Sequence, residues 1–222
     1  MIKPPFDPRQ LSIDAIAGEA ALPHERLNAA WLRQRFAEQP AWTPEAAEIS
    51  YQLRADGSPA TPASVLIPLV QREGGLTILL TQRNADLTDH PGQISFPGGR
   101  AEAWDASPVD TALRESEEEI GLARSQVEVI GTLPDHYIAT GYRVTPVVGL
   151  VATPLELVAD PGEVAEIFEV PLAFLMDGLN HQRLSFVLPS GRRNLYAMPY
   201  EQYYIWGATA GMLRNLFHFL RA

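Results

Sequence analysis

The 222-residue sequence predicts an α/β fold in which a mixed β-sheet carries helices packed on its faces. Two patterns lead there. From Ser64 onward, short apolar runs of strand length are separated by turn residues, while two segments among them keep helical spacing instead. An apolar fraction of 46% is also enough to fill a core and too high for a disordered chain.

Residues 1–60 differ from the rest, being rich in Ala, Pro and charge, and are read as an N-terminal extension packing on a domain formed by residues 61–222. Leu27, Trp31, Leu32 and Phe36 fall at helical spacing and predict a helix over Glu25 to Ala37. Ala55 to Pro62 reads as a linker. Ser64 to Val70 is the first strand of the domain, Arg72 to Gly75 supplies a turn, and Leu76 to Thr81 returns as the second arm of a hairpin. Further strands are expected at Val127 to Leu133, Val144 to Val151, Leu184 to Leu188 and Asn194 to Met198, the last two joined by a turn at Pro189-Ser-Gly191. Helices are expected over Pro108 to Ile120 and Tyr204 to Leu220; Trp206, Leu213, Leu216, Phe217 and Leu220 of the second are assigned to the core.

Charge and composition narrow the function. Seventeen Lys and Arg face twenty-seven Asp and Glu, a formal net charge of -10. Nucleic-acid binding draws on phosphate neutralisation by basic side chains, so no nucleic-acid partner is expected. An anionic small molecule would need a local device, either metal ions or a few placed Arg residues. With no cysteine, disulfides, thiolate zinc sites and a Cys nucleophile are excluded. The first residues lack an apolar signal core and no apolar run has membrane-spanning length, so no membrane partner and a cytoplasmic location are expected. Nothing in the sequence indicates an oligomeric state.

The segment Ser107 to Leu122 carries the most information. Ser107 suits an N-cap, Pro108 the first helical position, Asp110 a capping box, and Gly121 a left-handed stop. At ~100° per residue, Val109, Leu113, Ser116 and Ile120 share the stripe that faces the core. Glu115, Glu118 and Glu119 share another face, expected to meet solvent and metal. Like charges at these spacings cost an isolated helix about 0.2–0.5 kcal/mol per pair. A divalent cation between the carboxylates would relieve that cost. Arg114 could pair with Asp110 and Glu117 along the helix or orient a catalytic Glu, and the structural role is preferred.

Gly99-Arg-Ala-Glu-Ala-Trp-Asp105 followed by Arg114-Glu115-Ser-Glu117-Glu118-Glu119-Ile-Gly121-Leu122 resembles the Nudix box. The spacing from Gly99 to Arg114 is one residue longer than in the general box, Asp105 stands where Glu is expected, and Ser116 replaces an apolar residue. A second pattern, Leu79-Leu-Thr-Gln-Arg83 with Leu87, His90 and Gly92-Gln-Ile-Ser-Phe-Pro-Gly-Gly99, resembles the signature of the coenzyme A pyrophosphatase branch, which shares the longer spacing and the Asp. Asn84 and Thr88 depart from it, standing where Ser and Arg are favoured. Gly141 to Gly149 and Ile205 to Ala210 also look like this branch.

This resemblance implies the Nudix fold, a mixed β-sheet sandwiched between helices (α/β/α). It implies metal-dependent hydrolysis of the diphosphate of coenzyme A or an acyl-coenzyme A, giving 3',5'-ADP and (acyl-)phosphopantetheine. The alternatives are another nucleoside diphosphate derivative (ADP-ribose, a dinucleotide, a modified NTP) and an inactive nucleotide-binding Nudix module. Glu115, Glu118 and Glu119 are the implied ligands of Mg²⁺ or Mn²⁺. Glu115, or Glu163 or Glu166 from a later loop, is the implied general base, with Glu163 preferred within the later pair. Arg83, Gln93, Gly98 and Gly99 are the candidate substrate contacts. The two glycines would let backbone approach phosphate or metal, although a plain tight turn would use them too.

Overall fold

The computed structural model describes residues 7–45, 54, 56–188 and 191–222. In chain order the elements are β1 (Ile13–Ile16), α1 (Ala29–Glu38), β2 (Thr61–Arg72), β3 (Gly75–Arg83), β4 (Ile94–Ser95), β5 (Gly98–Arg100) and α2 (Pro108–Ile120). There follow β6 (Val127–Thr132), β7 (His136–Ile138), β8 (Tyr142–Val151), β9 (Val164–Pro171), α3 (Leu172–Leu175), β10 (Gln182–Leu188), β11 (Gly191–Tyr200), β12 (Tyr203–Trp206) and α4 (Gly207–Arg221).

The larger sheet is mixed. β2 runs parallel to β8 from Thr61↔Tyr142 to Val70↔Val151, and antiparallel to its hairpin partner β3. β3 also pairs with β9 and, at its far end, with the short β4. Burial on both faces gives β2 and β8 their continuous apolar runs. Alternation along the strands sends Leu66, Val70, Leu79, Val147 and Val151 to one face, against Ala112 and Ile120 of α2. Ile67, Ile78, Leu80 and Val148 go to the other, against Leu32 and Phe36 of α1 and Leu213, Leu216 and Phe217 of α4. The sheet is thus sandwiched between helices, as the sequence implies. A second, antiparallel sheet, β1-β10-β11-β12, adjoins this side.

Three expectations shift. The first helix begins at Ala29 rather than Glu25, because Asn28 caps it, accepting from the Trp31 N–H at 3.0 Å. The C-terminal helix begins at Gly207. Tyr203 to Trp206 form a strand instead, paired with β11 through Tyr200↔Tyr203 and burying Tyr203 and Ile205 on one face. Of the linker, Thr61 and Pro62 open β2, and Ala55 lies outside the described residues, as do Pro189 and Ser190 of the β10–β11 turn. α2 spans Pro108–Ile120 as expected, with Ser107 accepting from the Asp110 N–H and Gly121 at φ +68°.

The segment before β2 is tied to α4 by charge as well as packing. The Glu45 carboxylate accepts from the Tyr196 hydroxyl (3.0 Å) and Arg214 Nε (3.2 Å) and lies 3.1 Å from His218 Nε2. Arg214 also pairs with Glu19 and lies 3.1 Å from the buried His181 Nδ1. The His218 contact, then Tyr196 and Arg214, hold the Glu45 pKa down to about 2 against the opposing effect of burial. A depressed folded-state pKa means the stabilisation is present above the unfolded value of 4.5 and fades as pH falls toward about 2. Glu45→Gln should therefore lower the urea midpoint near neutral pH, and the gap to the wild type should narrow through that acid window. A gap independent of pH would show that the Glu45 charge contributes nothing.

Candidate active site

α2 and β5 form the centre of the site. β5 lies antiparallel on the start of β2, with Val65↔Gly98 and Ser64↔Gly99 in register. Any Cβ at Gly98 would run into the Ser64 carbonyl oxygen, so only glycine allows this close approach. The Gly98 N–H then donates to Glu119 Oε2 at 3.0 Å. At Gly99 a Cβ would lie 2.6 Å from the Glu115 carboxyl carbon. The pair is therefore not a plain turn: one glycine offers a donor to Glu119, and the other makes room for Glu115.

Glu119 departs from expectation. It is 4% exposed, because β5 and the end of β3 cover it, so it does not face solvent. Burial pushes its pKa up to about 8, the Gly98 N–H and Arg83 opposing, and Glu163 and Glu115 adding to the rise. Arg83 Nη1 stands 3.8 Å from Glu119 Oε1, and Arg83 Nε is buried with no hydrogen-bond partner. Burial also raises Glu115, against the pull of Arg114, and Glu118 and Glu163 add to it. Glu115, Glu118, Glu119, Glu163 and Arg83 are thus brought to one neighbourhood.

Arg114 orders this group. Its partners are not Asp110 and Glu117, which face Arg124 instead, at 3.4 and 3.8 Å. Nε and Nη2 of Arg114 grip the two oxygens of Asp105, both at 2.9 Å, and Nη1 reaches Glu115 (2.9 Å) and Glu118 (2.8 Å). Asp105 also accepts from the Thr111 hydroxyl and the Glu102 N–H. Arg114 first, and these donors after it, hold its carboxyl far below the ordinary range. The box position with Asp in place of Glu therefore belongs to the clamp on Arg114.

The two later carboxylates part company. Val164 packs on the α2 face and Phe168 on the other, and a bulge in β9 opposite Gln82 and Arg83 separates Glu163 from Glu166. Glu166 turns to the far face and accepts from the Tyr203 hydroxyl at 2.6 Å, so it does not join the α2 cluster. Glu163 sits on a loop laid over the end of α2, where Val158 N–H donates to Ile120 O (3.0 Å) and Asp160 N–H to Glu119 O (2.8 Å). Asn84 pins that loop to β3, donating from Nδ2 to Pro161 O (2.7 Å) and from its N–H to Glu163 O (2.8 Å). The departure at Asn84 thus carries a structural job of its own.

Beyond the end of β3, Leu87, His90 and Gln93 help wall a cleft of about 420 Å³. The Arg83 N–H donates to Gln93 O at 2.9 Å, joining this wall to the acidic neighbourhood, and His90 Nδ1 lies 3.1 Å from Gln93 Oε1. Gln93 therefore faces the cleft, whereas Arg83 faces the α2 carboxylates. The cleft is also lined by Asp7 to Arg9 and by Tyr203, Tyr204 and Trp206. The part of Asp7 to Arg9 in this lining is invisible in the sequence, since a wall built from distant segments leaves no local spacing.

Among the described residues no three His, Asp or Glu side chains group closely enough to hold an ion, and Arg114 pairs with both Glu115 and Glu118. The donor chemistry nevertheless fits a hard divalent cation: carboxylate oxygens alone, crowded by like charge and partly desolvated. No helix of the described residues is long and apolar enough to cross a membrane.

The profile of the NUDIX domain matches residues 60–187. The uncharacterized Nudix hydrolase NudL of Escherichia coli (strain K12) is 45% identical over 155 residues, covering 69% of this chain and 80% of that protein. Among solved structures, the Nudix hydrolase RenU of M. smegmatis is similar at a TM-score of 0.46 and 25% identity, covering 54% of this chain and 78% of the other. The NUDIX domain of Shewanella oneidensis NrtR, complexed with ADP ribose, is similar at 0.42 and 19%, covering 58% and 85%. The chain belongs to the Nudix family. It is a hydrolase of diphosphate bonds, acting on a nucleoside diphosphate derivative, in a family that uses divalent cations such as Mg²⁺ or Mn²⁺.

Gly99→Ala should leave the melting temperature close to that of the wild type but lower turnover by about 100-fold, the scale of a 1 Å misplacement of a catalytic group. Unimpaired turnover would show that Glu115 has no need of the space over Gly99.

Proposed function

We propose that the protein hydrolyses the diphosphate of coenzyme A or an acyl-coenzyme A, releasing 3',5'-ADP and (acyl-)phosphopantetheine in the cytoplasm. One observation carries this reading. The segment that resembles the coenzyme A signature, Leu87 to Gln93, walls a cleft whose backbone is joined directly to Arg83 beside the acidic cluster. A long arm on the substrate could then leave the diphosphate and enter the cleft.

Glu115, Glu118 and Glu119 are the residues assigned to hold Mg²⁺ or Mn²⁺. Such an ion, when bound, neutralises diphosphate charge and lowers the pKa of water. Arg83 faces the same neighbourhood with its Nε free of protein partners, which suits it to a phosphate oxygen. Gly98 and Gly99 shape the carboxylates rather than touch substrate, and Gln93 is the cleft contact. Glu163 is assigned as the general base, since its loop is fixed to the end of α2; Glu166 is not, being held by Tyr203 on the other face. A second reading, another nucleoside diphosphate derivative, is favoured by Thr88, which lines the cleft where the signature prefers Arg.

The test is hydrolysis of coenzyme A, ADP-ribose, NADH and a dNTP with Mg²⁺, with Mn²⁺ and with EDTA. Metal-dependent release of 3',5'-ADP from coenzyme A, ahead of the others, is expected; equal turnover of the panel would sink the coenzyme A assignment. Glu115→Gln, Glu119→Gln and Glu163→Gln should each stay folded and lose most turnover, by about 100-fold or more for the base. Glu166→Gln should lose far less, and the reverse order would exchange the roles of the two later carboxylates.

A further inference from the structure

The cleft and the acidic cluster differ in what they can bind. Three carboxylates line the cleft, Asp7, Asp89 and Glu166, against one guanidinium, that of Arg9, which lies 5.7 Å over the Tyr204 ring. A phosphomonoester entering here would meet an excess of negative charge. The remaining polar groups are of another kind. Gln82, Gln93 and Gln202 line the cleft with Tyr204 and Trp206; Gln82 Nε2 donates to Gly92 O at 3.4 Å and Gln93 Oε1 lies 3.1 Å from His90 Nδ1. Thr140 lines it too, and its hydroxyl is buried without any hydrogen-bond partner. Burying a hydroxyl unpaired is costly, so such groups in folded proteins call for a partner. Primary amides and a hydroxyl between aromatic walls complement a chain of secondary amides, whose donors and acceptors alternate and carry no charge.

We propose that this cleft is the subsite for the uncharged, amide-bearing arm of the substrate, with Thr140 as a specificity-determining hydrogen-bonding residue and Asp7 to Arg9 as a wall of the subsite. The choice of a pantetheine arm rests on the coenzyme A reading above; the preference for a neutral arm over a phosphorylated one rests on the charge balance of the cleft. The phosphoadenosine end of the same substrate is directed away from the cleft. Residues 7–9 accordingly take part in substrate selection, although they precede the matched family region by some fifty residues.

The experiment is calorimetric titration of the full chain with pantetheine and with adenosine 3',5'-bisphosphate, using the wild type, Thr140→Val and Thr140→Ser, alongside kcat and KM for coenzyme A. Pantetheine should bind the wild type, and Thr140→Val should weaken it about fivefold, the factor for one neutral hydrogen bond. Thr140→Ser, which keeps the hydroxyl, should restore the affinity, and the bisphosphate should bind all three proteins equally. The loss in Thr140→Val should fall on KM for coenzyme A more than on kcat. Absence of pantetheine binding, equal binding by the Val variant, or a loss confined to the bisphosphate would each overturn the assignment. Thr140-dependent pantetheine binding without hydrolysis of coenzyme A would sink the reaction and keep the subsite. Hydrolysis with binding indifferent to Thr140 would do the opposite.

Discussion

The grip of Arg114 on Asp105 is the interaction on which the site depends. Arg114 is 14% exposed and Asp105 3%, so the pair is largely out of water, where removing one partner leaves the other costly to keep. The guanidinium fork uses one edge on Asp105 and Nη1 on Glu115 and Glu118. It therefore joins the loop after β5 to α2 and at the same time spaces the carboxylates of one helical turn. A lysine could match the charge but not this geometry, since an ammonium lacks the planar fork.

Around this clamp the fold sets the carboxylates into unlike surroundings. Glu118 stays in solvent with a side-chain exposure of 60%, Glu115 keeps 16%, and Glu119 is covered. Three residues of one type on one helix face thus differ in exposure, and burial raises the pKa of Glu115 and Glu119. Gly98 and Gly99 contribute by what they lack, since a side chain at either would displace β2 or Glu115.

The legible part of this arrangement was the local part. Ser107, Pro108 and Gly121 bound α2 because caps act within a turn or two of chain, and spacing alone grouped Glu115, Glu118 and Glu119. The burial of Glu119 was not legible, because Gly98 and Arg83 reach it from strands far off in sequence. The partners of Arg114 are illegible for the same reason: Asp110 and Glu117 stand at helical spacing, while Asp105 lies nine residues away across a loop. Within one apparent loop the sequence separates Glu163 from Glu166 only by a preference for Glu163; a strand with a bulge between them puts them on different faces. β12 reads as part of the final helix because Tyr204, Ile205 and Trp206 continue its apolar run, and no glycine marks the tight turn at Glu201, at φ +50°.

The loop from Val158 to Glu163 closes the carbonyl end of α2 with its own N–H groups, and Asn84 moors its far end to β3. A helix end and a sheet edge therefore share one short tether of fixed length. Added residues between Val158 and Glu163 would have to bulge from a segment with both ends fastened, whereas residues added before Leu155 would leave both moorings intact. Natural variation in loop length among relatives should accordingly gather upstream of the tether, making its constant span a ruler between α2 and the carboxylate it delivers.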